Sequence, residues 1–220
     1  MSHINLQIAL DIGSTHHLLG IATQARAMVD WIEAGTPWIL AEGMAPVRAL
    51  HAAFPEKLIV ADMKIMDGGY YEACLGFEAG ASLVTVLGGA SDATLAGAIR
   101  AARKHSRQVM VDLLQVQDLV DRACQATELG ADYIGVHTAY DDQASGKNPL
   151  SDLATLAGVQ CAPLVVAGGI NLHTLSCILS LSKDAPYGPA AVVVGSALTG
   201  ADNPGQAAAD MRRVLDEYTR

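Results

Sequence analysis

The chain has 220 residues, of which 51% are hydrophobic and 17% charged, and its formal net charge is −9. That length suits one large α/β domain, and with only two Phe and two Trp the core must be built from Ala, Val, Leu and Ile, the palette of buried parallel strands. The acidic balance, with no basic run, argues against a surface made for nucleic acid or an anionic membrane, and no apolar stretch approaches the roughly 18 residues of a membrane span.

Met1 to Leu10 has no basic segment followed by a long apolar one, so a soluble, cytoplasmic protein is expected. Cys74, Cys124, Cys161 and Cys177 form no Cys-x-x-Cys pair and signal neither a zinc site nor a disulfide framework.

In chain order, short β-branched runs alternate with stretches of helical period. The predicted strands are INLQIAL (4–10), DWIEAG (30–35), KLIVADMK (57–64), SLVTVLG (82–88), QVMVDLL (108–114), DYIGVH (132–137), PLVVAGG (163–169) and AAVVVGS (190–196). Between them lie amphipathic segments such as ATLAGAIRAARKH (93–105) and DLVDRACQATELG (118–130), the second closed by Gly130 as a C-terminal glycine. PGQAAADMRRVLDEY (204–218) makes a last helix. Eight strand–helix units in series predict a closed (β/α)8 TIM barrel spanning residues 1–220 as a single domain. A doubly wound sheet would place a G-x-G-x-x-G turn after strand one, where this chain reads DIGSTHH.

Barrel active sites gather at the C-terminal ends of the strands. Taken in order, those ends offer Asp11, Glu33, Asp62 with Lys64, Thr85, Asp112, His137, Gly168-Gly169 and Gly195-Ser196, each one strand–helix unit from the next. The polar connection Thr138 to Pro149 is expected to be irregular and is a candidate lid over the mouth.

Within ADMKIMDGG (61–69), Asp62 and Lys64 are two apart on a strand and so share a side, which regular alternation makes the inside of the mouth. Burying two ions costs several kcal/mol each, roughly, before pairing, so a site is indicated, although a structural ion pair would look the same. Glu33 and Asp62 supply hard oxygens from adjacent strands, which suits Mg²⁺; a solvated rim acid is the plainer alternative for Glu33. His137 is the histidine placed to exchange protons in the mouth, or else a satisfied structural residue. The glycines ending strands seven and eight allow backbone N–H groups to approach a phosphate, and they also suit plain turns.

The motifs LQIALD, IEAGTP, ADMKIMDGG, VTVLG, VDLL, HTAYDDQASGKNPL, VAGGI and VVVGSALTGADNP, in this order, resemble the orotidine-5′-monophosphate decarboxylase suprafamily. ADMKIMD marks the suprafamily, and HTAYDDQASG resembles its 3-hexulose-6-phosphate synthase branch. The resemblance implies Mg²⁺ on Glu33 and Asp62, Lys64 at the oxygens of an enediolate, and His137 as acid and base. It further implies that Asp11 and Asp112 bond the substrate or the lysine, and that the backbone at Gly169, Gly195 and Ser196 holds phosphate. Asp67 would reach across a homodimer interface into the partner's site. The implied reaction joins D-ribulose 5-phosphate, a sugar phosphate, to formaldehyde. Tyr140 stands where the related 3-keto-L-gulonate-6-phosphate decarboxylases carry an arginine, and Asp112 where they carry a glutamate, so both point away from decarboxylation. A ribulose-phosphate epimerase and a non-catalytic sugar-phosphate sensor are the remaining readings; the first lacks its paired acids and metal-binding histidines here, and the second has no need of a buried Asp–Lys–Asp set.

Overall fold

The alternation of apolar side chains along each strand decides the architecture. In the computed structural model, which describes residues 3–183 and 185–219, all eight predicted strands form: β1 (Asn5–Leu10), β2 (Trp31–Ala34), β3 (Leu58–Ile65), β4 (Leu83–Leu87), β5 (Gln108–Asp112), β6 (Tyr133–His137), β7 (Leu164–Ala167) and β8 (Ala191–Val194). Each runs parallel to the next, and Asn5 to Ile8 of β1 pair with Ala191 to Val194 of β8, which closes the barrel. Met1, Ser2, Asp184 and Arg220, part of the expected span 1–220, lie outside the described residues.

Around the barrel run α1 (Thr15–Ala25), α2 (Thr36–Glu42), α3 (Ala45–Ala53), α4 (Gly69–Glu78), α5 (Asp92–His105), α6 (Leu119–Leu129), α7 (Tyr140–Gln143), α8 (Leu150–Leu156), α9 (Leu172–Ser182), α10 (Ser196–Thr199) and α11 (Pro204–Thr219). Their ends carry the expected chemistry. Ser91 accepts from the Thr94 N–H at 3.2 Å to start α5, Asp118 accepts from Asp121 at 3.0 Å to start α6, and Gly130 closes α6 at φ 103°. The connection Thr138–Pro149 is not wholly irregular: Tyr140–Gln143 winds into the single turn α7.

Two apolar layers result. Leu6, Ile8, Ile32, Ile59, Val84, Val111, Ile134 and Val166 face outward against the helices, while Ala9, Trp31, Val60, Leu83, Met110, Val165 and Val193 fill the barrel interior. Trp31 and Tyr133 meet edge-to-face in that interior, with ring centroids 5.2 Å apart. Two residues beyond Ala9, Trp31, Val60, Leu83 and Met110 come Asp11, Glu33, Asp62, Thr85 and Asp112, so the same parity that fills the barrel aims polar groups into its mouth.

The α4–α5 pair is held by close backbone approach: a Cβ on Gly69 would lie 2.0 Å from the Thr94 carbonyl oxygen. Gly69→Ala is expected to lower unfolding stability by about 2 kcal/mol through overpacking. Gly20→Ala, mid-helix with nothing within 4 Å of the new carbon, should instead gain roughly 0.5 kcal/mol. Urea midpoints with unchanged slopes would establish both signs; equal effects would remove the close-approach argument.

Candidate active site

At the mouth, β3 departs from regular pairing. Its ladder with β4 runs Val60↔Leu83 and Ala61↔Val84, then resumes at Ile65↔Val86, so β3 advances four residues while β4 advances two. Lys64 takes the left-handed conformation within this bulge, at φ 46°. Simple alternation therefore does not explain how Lys64 meets Asp62; the bulge turns the lysine so that its Nζ pairs directly with Asp62 Oδ2.

Asp62 is buried and held on both oxygens. Thr85 donates to Oδ1 at 2.8 Å, and the Thr36 hydroxyl lies 2.7 Å from Oδ2 and 2.7 Å from the Asp62 backbone oxygen. Burial alone would raise the Asp62 pKa, but the Lys64 charge, its hydrogen bond and the two hydroxyls outweigh it and hold the carboxyl below its usual range. Lys64 shows the converse: burial disfavours its charge, and Asp62 with more distant Asp112 and Glu33 restores it to a raised pKa.

Glu33 sits beside this pair on β2, buried, with Gln7 Nε2 donating to its carboxylate. Burial, then the charges of Asp62 and Asp11, push Glu33 well above the carboxylate range. Asp11 is raised by burial and by Asp62. A Cβ on Gly35 would lie 2.1 Å from Asp11 Oδ1, so glycine at that position leaves room for the carboxylate.

Across the mouth, His137 Nδ1 lies 2.8 Å from Asp112 Oδ2, while Asp112 Oδ1 accepts from the Leu114 N–H at 3.0 Å. Burial lowers the histidine's proton affinity, yet the charge and hydrogen bond of Asp112 prevail and the pKa is raised. With Nδ1 bound, the opposite ring nitrogen is the one left for chemistry.

The other predicted residues distribute unevenly. Gly169 adopts φ 67° and Gly195 starts α10, whose first residue is Ser196, so both final strand ends present backbone in tight turns. Gly168 has a structural cause of its own, since a Cβ there would lie 2.4 Å from the Thr138 carbonyl oxygen. Tyr140, on α7, is 80% exposed. Asp67 stands outside the cluster, exposed, with its carboxylate accepting from the Gly68 N–H at 2.7 Å. A cavity of about 490 Å³ opens beside the mouth, lined by Leu113, Gln115, His137, Thr138 and Lys147 among others.

Two members of the network had no place among the predicted site residues. Gln7 carried a signal, a polar residue in phase with Ala9 and Asp11 inside an apolar strand. Thr36 lies just past a strand end, at the start of α2, and strand-end reasoning does not reach it.

As for a metal, no group of three or more His, Cys, Asp or Glu among the described residues is arranged to hold one. The donor set nonetheless fits a hard divalent cation that takes its remaining ligands from water or substrate. Asp11, Glu33 and Asp62 repel one another across the mouth with Lys64 as their common cationic neighbour, and Glu33 and Asp62 are oxygen donors on adjacent strands.

A closed parallel barrel whose strand ends bring together a lysine–aspartate and a histidine–aspartate pair is a barrel enzyme. The model of the orotidine 5′-phosphate decarboxylase / HUMPS family matches residues 4–211, and the chain belongs to that family. It is 38% identical over 213 residues to a 3-hexulose-6-phosphate synthase of Bacillus subtilis, covering 96% of this chain and 99% of that one. A crystal structure of 3-hexulose-6-phosphate synthase from Salmonella typhimurium superposes with a TM-score of 0.92 at 40% identity, over 98% of this chain and 100% of that one. A 3-keto-L-gulonate-6-phosphate decarboxylase from Vibrio cholerae superposes at TM-score 0.84 and 28% identity, over 99% of each.

The histidine pair makes a pH prediction. A raised folded-state pKa means that His137 protonation stabilises the fold fully below the ordinary histidine value and that this contribution fades as pH rises through the raised value. Asp112→Asn should lower the His137 pKa and shrink the stability difference between about pH 5 and pH 8. Histidine proton NMR titration reads the first effect and denaturant midpoints the second; an unmoved titration would mean that Asp112 does not govern the imidazole.

Proposed function

We propose that this protein is an aldolase-type lyase that joins D-ribulose 5-phosphate and formaldehyde into D-arabino-hex-3-ulose 6-phosphate, with Mg²⁺ as cofactor. The observation that carries the reading is the Lys64–Asp62 pair facing the His137–Asp112 pair in one mouth. The names of its relatives support the same assignment.

His137, through its free ring nitrogen, takes the proton from C1 of ribulose 5-phosphate, and the C–H electron pair passes into an enediolate. Asp112 holds the imidazole orientation and steadies the imidazolium that forms. The Lys64 ammonium, fixed by Asp62 and Thr36, stands against the developing charge on the two oxygens. C1 then attacks the formaldehyde carbon, and the carbonyl oxygen, now an alkoxide, takes the proton back from His137. Mg²⁺ on Glu33 and Asp62 would add positive charge for the vicinal oxygens of the substrate. Backbone N–H groups at Gly169, Gly195 and Ser196 would grip the phosphate, and Asp11 would bond the sugar. Tyr140 would lie beside the end of the substrate where formaldehyde enters.

The homodimer belongs to this reading. Ile12, Leu40, Met66, Tyr71 and Leu75 are exposed apolar residues on the successive units that flank Asp67, and a second copy would cover them while receiving that carboxylate. The four cysteines are unpaired, which supports a reducing cytoplasmic setting.

The test is consumption of formaldehyde with ribulose 5-phosphate. Turnover should vanish in excess chelator and return with Mg²⁺; full activity in chelator would remove the metal from the mechanism. Release of carbon dioxide from 3-keto-L-gulonate 6-phosphate in place of formaldehyde consumption would assign the chain to the decarboxylases instead. For the shared site, mixing inactive Asp67→Ala and Lys64→Ala proteins should restore part of the activity, because a hybrid dimer has one site with both native residues. No recovery after confirmed subunit exchange would confine Asp67 to its own subunit.

A further inference from the structure

Of all the strand-end residues, Thr85 has no assigned task, yet it is 2% exposed and makes two hydrogen bonds at the centre of the site. Its place is set by the β3 bulge. Between Ala61 and Ile65 the regular ladder to β4 is interrupted, and the Lys64 N–H loses the carbonyl partner that pairing would give it. Thr85 Oγ1 accepts that N–H at 2.9 Å and donates its own hydrogen to Asp62 Oδ1 at 2.8 Å. The polarity of this chain is forced. A backbone N–H can only donate and an ionised carboxylate can only accept, so the one hydroxyl hydrogen must point at Asp62.

We propose that Thr85 is a positioning residue for the reaction: its hydroxyl sets the Lys64 backbone and the Asp62 carboxylate together, so that one side chain on β4 fixes both halves of the ion pair on β3. The left-handed conformation of Lys64 is unfavourable for a residue with a side chain, by roughly 1–3 kcal/mol, and persists only if its surroundings enforce it. The Thr85 acceptor is an enforcing contact on the N–H side, and the Lys64 Nζ bond to the Thr36 hydroxyl at 3.1 Å holds the far end of the same side chain. Thr36 and Thr85 thus hold the two Asp62 oxygens from opposite sides, but only Thr85 also holds the lysine's main chain. Valine has the shape of threonine and would fill the space, so neither burial nor β propensity explains a hydroxyl here.

The inference rests on the proposed reaction only for its assay. Thr85→Val should lower kcat roughly 10- to 100-fold, the usual effect of removing a group that orients a reacting one, while KM for the sugar phosphate moves less than about threefold. Thr85→Ser, which keeps the hydroxyl, should stay near wild type. An activity-independent readout accompanies these: native-state hydrogen exchange at the Lys64 amide should be faster by at least about tenfold in Thr85→Val, with β1 and β7 as protected as before. Should Thr85→Val not fold, Thr85→Ala is read in the same way against Thr85→Ser. Wild-type kcat in the valine variant, equal losses in the valine and serine variants, or unchanged exchange at Lys64 would each overturn the assignment. An inactive wild type would instead count against the aldol reading, and the exchange comparison would still decide the role of Thr85.

Discussion

The ion pair between Lys64 and Asp62 is the interaction on which the rest of the site depends. Two charges at the end of a barrel strand carry a desolvation cost of several kcal/mol each, roughly, and the structure offsets it with direct pairing, two hydroxyls and a bulge that redirects the lysine. The surrounding electrostatics are deliberately unequal. Asp62 stays ionised against its partner, whereas Glu33 and Asp11 are driven toward their neutral forms by burial and by Asp62 itself. A mouth with four carboxylates, one lysine and one histidine is short of positive charge, and a cation or the proton of an acid must supply the difference.

Much of this was legible in the sequence because strand parity is a strong constraint. Once eight apolar runs are placed, the residue two beyond each interior position falls at the mouth, which is how Asp11, Glu33, Asp62, Asp112 and His137 could be named together. What parity could not reveal were contacts made by departures from it. The bulge at Lys64 breaks the alternation, Thr36 belongs to a helix start, and the one-turn helix α7 interrupts a connection whose composition reads as loop. Gly168 illustrates a different limit: glycine at a strand end fits a phosphate cradle and a close backbone crossing equally well, and here the crossing at Thr138 is what requires it. Asp67 marks the last limit: in a single chain it is an exposed carboxylate accepting from the Gly68 N–H, and only the proposed second copy would give it a part in the site.

The site divides into sectors that differ in burial. Asp62, Thr85 and the Lys64 main chain are locked by the interior of the barrel, whereas the β5 and β6 ends continue into the exposed segments that carry Gln115, Tyr140 and Lys147. On the proposed reading the first sector stabilises an enediolate and the second meets the electrophile. That division accounts for a fold retained at TM-score 0.84 and 28% identity by a relative named for decarboxylation. The stabilising sector can persist while the loops that admit the electrophile change.

On the proposed reading, the raised proton affinity of His137 serves proton transfer in both directions. A carboxylate that stabilises the imidazolium makes the neutral ring a stronger base for the removal step. In an aldol addition the same nitrogen must keep the proton while the carbon–carbon bond forms and then deliver it to the new alkoxide. Asp112, hydrogen-bonded on the far side of the ring, lengthens the life of the imidazolium without approaching the reacting carbon. On the proposed reading the pairing serves both proton removal and proton return on either side of the bond-forming step, and the neighbouring Lys64, an ammonium paired with its own aspartate, has no acceptor to lend in that exchange.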